Sequence, residues 1–255
     1  MDGCLACKAC AGQCPVRVDV PAFRAEFLQK YHERYARPLR DHLLAQSERR
    51  AGAPVPSVAL RALGVVDPPA RPRVSSRRVF EASDVREGDV VIVPDRFTNV
   101  YAPEVIDSMI AIARVVGVRA HVAPARESGK PLHVLGMLDR FRRVAERESA
   151  WLTSLSRATL VGIDPAITLL YRDEYPKALG RSTPRVLLPQ EWLSTVELPQ
   201  ASSPAKRAAL LAHCTERAME PTATGRWRDV FAGVGVRIDL RDAGCCGMAG
   251  MWGHL

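Results

Sequence analysis

Apolar residues follow a helical period in the first fifty positions of the chain. Four of them recur on one face of a helix: Phe23, Phe27, Leu28 and Tyr31. This stripe predicts a helix that starts near Asp19 and Pro21 and continues to about Tyr35. A further helix is predicted over Leu39–Arg49. Residues 1–50 are therefore expected to form a small helical domain.

Proline dominates the next stretch of the chain. Five prolines stand among alanines and arginines in residues 51–78: Pro54, Pro56, Pro68, Pro69 and Pro72. Such a composition interrupts regular structure and predicts an extended, partly helical connector. We place this connector at residues 51–85.

From residue 86 onward, short apolar runs alternate with longer helical patterns. The runs that predict buried strands are Asp89–Pro94, Val118–Val122, Ala158–Ile163 and Val186–Leu188. The helical patterns between them are Pro103–Val116 and Leu135–Ser154. Strands that alternate with helices predict an α/β domain with a parallel sheet, which we place at residues 86–255.

Part of this pattern recurs 118 residues further along the chain. At that offset Val116–Arg119 (VGVR) matches Val234–Arg237, and the run AALLA at 208–212 falls on the strand near residue 90. Gly129 falls on Gly247 in the same register. Agreement of strand, helix, strand and glycine without a gap predicts a duplicated β-α-β unit, whose second copy covers residues 205–255.

Four cysteines near the amino terminus carry the clearest chemical signal. They have the spacing C-x-x-C-x-x-C-x-x-x-C-P, at Cys4, Cys7, Cys10 and Cys14. Bacterial ferredoxins use this run to hold a 4Fe–4S cluster, so the spacing predicts one-electron transfer. A zinc site is the weaker alternative, because structural zinc sites usually divide two cysteine pairs across a longer loop. Cys14 either closes its own cluster or serves one that another segment completes.

The remaining three cysteines belong to the second copy of the repeat. Cys214 follows one predicted strand, and Cys245 and Cys246 follow the next. Because parallel strands end at the same edge of a sheet, these thiols are expected to converge and form a second metal–sulfur or redox site. His213 and His254 lie near them as further candidate ligands or proton donors. The alternative is that each thiol is a small buried hydrophobe.

The first copy of the repeat has no soft ligands at the matching positions. Asp95-Arg96 stands in register with His213-Cys214, and Glu127-Ser128 with Cys245-Cys246. We therefore expect the first copy to be purely structural. The other histidines are expected to be surface or hydrogen-bonded core residues: His32, His42, His121 and His133.

Composition and charge indicate which kinds of partner and which compartment to expect. The 255 residues carry a formal net charge of +8, but the basic residues are scattered among acidic ones with few aromatics. This favours a solvated surface or an acidic partner over nucleic acid. No apolar run is long enough for a membrane span, and cysteines that act as ligands predict a reducing cytoplasm.

Two segments give the chain a family resemblance. GCLACKACAGQCPVRVDVPAFRAEFLQKYHERYARPLRDHLL resembles the iron–sulfur region of FAD-linked oxidases of the D-2-hydroxyglutarate and D-lactate dehydrogenase type. AHCTERA and GCCGMAGMWGH resemble the cysteine-rich CCG domain at the carboxyl end of those proteins. The resemblance implies an N-terminal ferredoxin-type segment followed by a CCG-like α/β domain. It also implies that Cys4, Cys7 and Cys10 hold one 4Fe–4S cluster and that Cys14 is shared with another ferredoxin half.

The resemblance implies an electron-transfer role for the chain. Electrons leave FAD in an upstream domain or subunit and pass through iron–sulfur centres to a quinone or cytochrome. No G-x-G-x-x-G follows a strand here, so FAD is expected only outside this chain, and the chain resembles a portion of a longer enzyme. Two alternatives stay open: an iron–sulfur sensor or nucleic-acid-binding protein, and a fragment that assembles no cluster.

Overall fold

A computed structural model describes residues 4, 6–16, 18–53, 58, 61, 82–199 and 207–241. Its strands are β1 (Val90–Val93), β2 (Ala120–Val122), β3 (Thr159–Gly162), β4 (Val186–Leu187), β5 (Arg207–Leu211) and β6 (Arg237–Arg241). Its helices are Ala9–Gln13, Val20–Arg34, Leu39–Leu44, Ser47–Arg50, Arg96–Tyr101, Pro103–Val115, Lys130–Val134, Leu138–Ser154, Pro165–Arg172, Glu174–Leu179, Pro189–Leu193, Cys214–Met219 and Ala223–Gly233, with a 3-10 turn at Ala82–Asp84. Most of the predicted connector and the CCG residues 242–255 lie outside the described residues.

The strands form two parallel sheets, as an α/β chain requires. The larger sheet has the order β2-β1-β3-β4, and β5 pairs with β6 in the smaller one. Successive residues of β1 face opposite sides: Val91 joins a core with Phe141 of the Leu138–Ser154 helix, and Ile92 joins one with Ile106 of the Pro103–Val115 helix. Helices therefore cover both faces of the larger sheet, which explains why β1 is apolar at every position.

The 118-residue offset seen in the sequence also relates the two sheets. β1 pairs with β2 so that Val90 lies opposite Ala120, and β5 pairs with β6 so that Ala208 lies opposite Ile238. The connecting helices match as well, because Arg96–Tyr101 and Pro103–Val115 correspond to Cys214–Met219 and Ala223–Gly233. Both units turn into their second strand through a left-handed glycine, Gly117 with φ +73° and Gly235 with φ +78°.

The amino-terminal segment is helical and packs on the α/β domain. Asp19 caps the Val20–Arg34 helix by accepting a hydrogen bond from the backbone N–H of Ala22, and Pro21 lies in its first turn, as predicted. Gly136 allows this helix to approach closely, since a Cβ there would lie 2.6 Å from the carbonyl oxygen of Ala25. The helix is thus fixed to the loop that precedes Leu138–Ser154.

The single helix predicted over Leu39–Arg49 is wrong, because the chain forms two short helices there, Leu39–Leu44 and Ser47–Arg50. The break places the carboxylate of Glu48 inside the protein. It accepts hydrogen bonds from the Ser128 hydroxyl and from the backbone N–H of Gly129, which follow Glu48 in the sequence by 80 and 81 residues. This tertiary contact outweighs the local tendency to continue one helix.

Candidate functional site

The amino-terminal cysteines lie in a compact loop and a one-turn helix. Cys4, Cys7, Cys10 and Cys14 are all half-buried, and Ala9–Gln13 forms a short helix that carries Cys10. The backbone N–H of Cys14 donates to the carbonyl oxygen of Cys10 over 2.9 Å, which closes that turn. No disulfide joins the cysteines in the described part of the chain.

The backbone around Cys7 has an unusual conformation. Ala6 and Lys8 have φ angles of 53° and 60°, in the left-handed region that non-glycine residues seldom occupy. Turns with left-handed residues make concavities lined by backbone N–H groups, as at many iron–sulfur sites. The loop around Cys7 therefore has a backbone type suited to an anionic cluster.

Lys8, between Cys7 and Cys10, anchors this loop to the rest of the protein. Its side chain is 2% exposed, and its ammonium group contacts Asp173, lies 3.3 Å from Asp19 Oδ2 and lies 3.2 Å from Glu174 Oε1. Asp19 caps the next helix, and Asp173 and Glu174 begin the Glu174–Leu179 helix of the α/β domain. One buried cation thus joins the cysteine loop to two other elements.

The charges around Lys8 keep both Lys8 and Glu174 in their ionised forms. Burial alone would raise the pKa of Glu174, but the ammonium groups of Lys130 and Lys8 outweigh it and lower that pKa to about 2. Burial alone would lower the pKa of Lys8, but Glu174 and Asp173 raise it instead. Burial lowers the pKa of nearby His133 to about 4, so this residue is a neutral core histidine, as the sequence suggested.

The helix that carries Cys10 packs against the helix that begins with Cys214. Ala9–Gln13 contacts Cys214–Met219, and a Cβ at Gly12 would lie only 2.7 Å from the backbone carbonyl oxygen of Ala218. The structure thereby brings together elements from the two cysteine groups that are 200 residues apart in sequence. The sequence predicts two separate sites, and the structure packs the helix of Cys10 against the helix that begins with Cys214.

We expect Gly12→Ala to lower the free energy of unfolding by about 1–3 kcal/mol, because the added methyl group overpacks a contact with rigid backbone. Gly225→Ala is the matched control. Gly225 lies in a helix with open space around it, so the same change should stabilise the protein by roughly 0.5–1 kcal/mol. Urea denaturation measures both, and equal effects at the two glycines would show that the two helices do not pack closely.

His213 and Cys214 lie where the smaller sheet meets the carboxyl edge of the larger one. His213 caps its helix, with Nδ1 accepting from the backbone N–H of Thr215 over 3.3 Å. Asp164, which follows β3, is half-buried; loss of solvation and the charge of Asp95 after β1 raise its pKa, while His213 opposes the shift. The ends of β1 and β3 and His213 thus form one polar cluster, at the type of edge where we expected the second site.

Not every predicted site residue can be placed. Cys245, Cys246 and His254 lie outside the described residues, so the CCG trio is represented by Cys214 alone. Among the residues that are described, no three Cys, His, Asp or Glu side chains are gathered closely enough to hold a metal ion. Lys8, Asp173 and Glu174 were not identified from the sequence, because their pairing spans 165 residues or more.

The helices that the structure describes include none that is long and apolar enough to cross a membrane. The longest of them, Leu138–Ser154, turns a charged face to solvent and buries Phe141, Val144 and Leu152.

Curated proteins similar to the whole chain are D-2-hydroxyglutarate dehydrogenases. The chain is 40% identical to the one from Pseudomonas putida (strain KT2440) over 287 residues and 36% identical to the one from Escherichia coli K12 over 290 residues. It is 34% identical to the Haemophilus influenzae protein. Each match covers 100% of this chain but only 28–29% of the relative. No protein-family model and no solved structure matches the chain.

The chain is therefore homologous over its whole length to the C-terminal 28% of these dehydrogenases. It spans less than a third of the length of the relatives that it matches. The comparisons place the chain in the context of oxidoreductases.

Proposed function

We propose that this chain is an iron–sulfur electron-transfer module of an FAD-linked 2-hydroxy-acid dehydrogenase of the D-2-hydroxyglutarate type. It receives single electrons from a flavin-containing domain or subunit and passes them to an acceptor such as a quinone or cytochrome. One observation carries the proposal: a ferredoxin-type cysteine run in a chain homologous to such dehydrogenases. The module works in the reducing cytoplasm, where its thiols stay available as ligands.

The residue types, spacing and backbone conformation of the loop suit a 4Fe–4S cluster, which when bound would supply a one-electron redox couple. Cys4, Cys7, Cys10 and Cys14 offer soft thiolate donors that are half-buried. Lys8 holds the loop against the α/β domain through Asp173 and Glu174. Burial of the loop and its backbone N–H groups would then tune the redox potential of the bound cluster.

Cys214, Cys245 and Cys246 form the second part of the proposal, as ligands of a further iron–sulfur centre or as redox thiols. The packing of Ala9–Gln13 on Cys214–Met219 supports this arrangement, because it holds elements from the two cysteine groups in contact. FAD and the hydroxy-acid site belong to the flavin part, so this chain by itself does not turn over substrate.

Cys7→Ser is expected to abolish the ferredoxin-type signal in electron paramagnetic resonance, because it removes a thiolate from the run. Iron and acid-labile sulfide per chain, measured on protein prepared without oxygen, should fall with it. Cys245→Ser is the control and should leave that signal intact. Protein that stays colourless and free of iron after reconstitution, or a Cys7→Ser spectrum equal to wild type, would contradict the proposal.

A further inference from the structure

The Val20–Arg34 helix uses one side to dock on the α/β domain. Ala25 is buried, and Leu28 and Gln29 lie against Gly136. The Arg24 guanidinium donates to the carbonyl oxygen of Val134 over 2.6 Å, and the Gln29 amide group bonds to Asp139 and to the backbone N–H of Leu138. These contacts fix the rotation of the helix about its axis.

The side of this helix away from Ala25 and Gln29 carries an exposed row of three aromatic rings spaced four residues apart, and Tyr35, directly after the helix, continues the row. We call it the aromatic ridge: Phe23 (57% exposed), Phe27 (46%), Tyr31 (42%) and Tyr35 (51%). The rings of Phe27 and Tyr31 stack with centroids 5.8 Å apart, and those of Tyr31 and Tyr35 are 4.6 Å apart. Phe27, Tyr31 and Tyr35 therefore contact one another in series, and Phe23 lies one helical turn before them.

Such a surface is unusual for a face that remains in water. The four residues of the ridge are among the exposed large hydrophobic side chains in the described part of the chain, and Val16, Val18 and Leu39 are exposed nearby in sequence. Contiguous apolar patches mark interaction sites, and aromatic residues are enriched at the centres of protein interfaces. Rings that already stack on one another lose little conformational freedom when a partner covers them.

The ridge is held in a fixed position relative to the cysteine loop. Its helix is capped by Asp19, and the Lys8 ammonium group, between Cys7 and Cys10, lies 3.3 Å from Asp19 Oδ2. A partner seated on the Phe23 end of the ridge is consequently held near the loop. The relatives supply a partner, since each continues for most of its length outside the segment that matches this chain.

We propose that the aromatic ridge is the docking surface for the flavin-bearing part of the dehydrogenase. The inference rests on the proposed function, because it assigns the ridge to the electron donor named there. Docking covers the four rings, excludes water from the side of the cysteine loop that faces the donor, and fixes the donor's approach to it.

Hydroxyl-radical footprinting tests the docking itself, without any activity. Oxidation of Phe23, Phe27 and Tyr31 is compared by mass spectrometry between this 255-residue chain and the complete flavin-containing protein, with exposed Val115 on another helix as the internal reference. The ridge should be oxidised in the chain alone and protected in the complete protein, while Val115 reacts equally in both. Protection already present in the chain alone would overturn the inference, as would protection that needs only a second copy of the chain or phospholipid vesicles.

Variants of the complete protein test the consequence for electron transfer. In stopped-flow reduction by D-2-hydroxyglutarate, Phe27→Lys with Tyr31→Lys should leave flavin reduction unchanged, while reduction of the iron–sulfur centre slows in proportion to the loss of docking. Truncating a central aromatic anchor typically weakens association by about thirtyfold or more. Val115→Lys is the matched control and should change neither rate. Dithionite should still reduce the centre fully in every variant.

The two hypotheses fail in different ways. If wild-type protein holds no iron–sulfur centre, the proposed function fails while footprinting still decides whether the ridge docks the flavin part. If the centre is reduced at the wild-type rate in the Phe27→Lys, Tyr31→Lys variant and the ridge stays open to oxidation, the docking inference is wrong although the electron-transfer function stands.

Discussion

Lys8→Met is expected to lower the free energy of unfolding by about 3–5 kcal/mol, the usual loss when one partner of a buried ion pair is removed. Methionine keeps the length of the side chain but leaves Glu174, itself 3% exposed, with Lys130 at 2.8 Å as its remaining salt-bridge partner within the described part of the chain. It also removes the cation that holds Asp173 and Asp19 against the cysteine loop. Urea denaturation monitored by circular dichroism measures the loss.

Lys177→Met provides the control within the same cluster of charges. Lys177 lies 3.2 Å from Asp19 Oδ2 and 2.9 Å from Asp173 Oδ1, but its side chain is 55% exposed. Exposed ion pairs contribute up to about 1 kcal/mol, so this variant should lose far less than Lys8→Met. In the iron–sulfur form that we propose, Lys177→Met should also keep its iron under a chelator, whereas Lys8→Met should lose iron more readily. Equal, small losses in both variants would show that Lys8 does not anchor the loop.

The parts of the fold that the sequence predicted are those with a strong local pattern. β1 and β3 are short apolar runs buried on both faces, and their strand character follows from composition alone. The VGVR repeat identified two matching turns, because a left-handed glycine is required at Gly117 and at Gly235. Short helices such as Arg96–Tyr101 and Pro165–Arg172 were missed, although Asp95 and Asp164 cap them and offered a signal.

In the candidate site, too, the features with a local sequence pattern could be predicted and those that depend on tertiary packing could not. The spacing from Cys4 to Cys14 is a local pattern and can be recognised without a fold. The role of Lys8 cannot, because its partners Asp173 and Glu174 reach it only through tertiary packing. Periodicity also predicted the aromatic stripe of the Val20–Arg34 helix but not its exposure, because an apolar stripe normally faces the core of its own domain, whereas these rings are exposed.

A second buried charge ties the amino-terminal segment to the α/β domain. Glu48, in the short Ser47–Arg50 helix, is 2% exposed and accepts hydrogen bonds from Ser128 and Gly129. Burial is the largest influence on its carboxyl group and raises the pKa from 4.5 to about 7, although both hydrogen bonds oppose the change. Between pH 4.5 and about 7, Glu48 is therefore mostly protonated in the folded protein but mostly ionised in the unfolded chain.

Stability should consequently fall as the pH rises through the interval from 4.5 to about 7. At about 1.4 kcal/mol per pKa unit, the contribution of Glu48 that is present at pH 4 and lost by pH 8 is about 3 kcal/mol. Glu48→Gln keeps the shape of the protonated side chain without its titration. The free energy of unfolding of Glu48→Gln, measured relative to that of wild type, should therefore rise by about 3 kcal/mol from pH 4 to pH 8.

The comparison between variant and wild type isolates this effect from that of His133. Burial lowers the pKa of His133 from 6.5 to about 4, so its contribution to stability is lost as the pH falls through that range. In wild type the two groups act in opposite directions and flatten the pH profile, but His133 is common to both proteins and cancels in their difference. Urea unfolding at pH 4, 6 and 8 measures that difference. A value that stays constant with pH would show that Glu48 is ionised in the folded protein and that the amino-terminal segment is held less tightly than its contacts indicate.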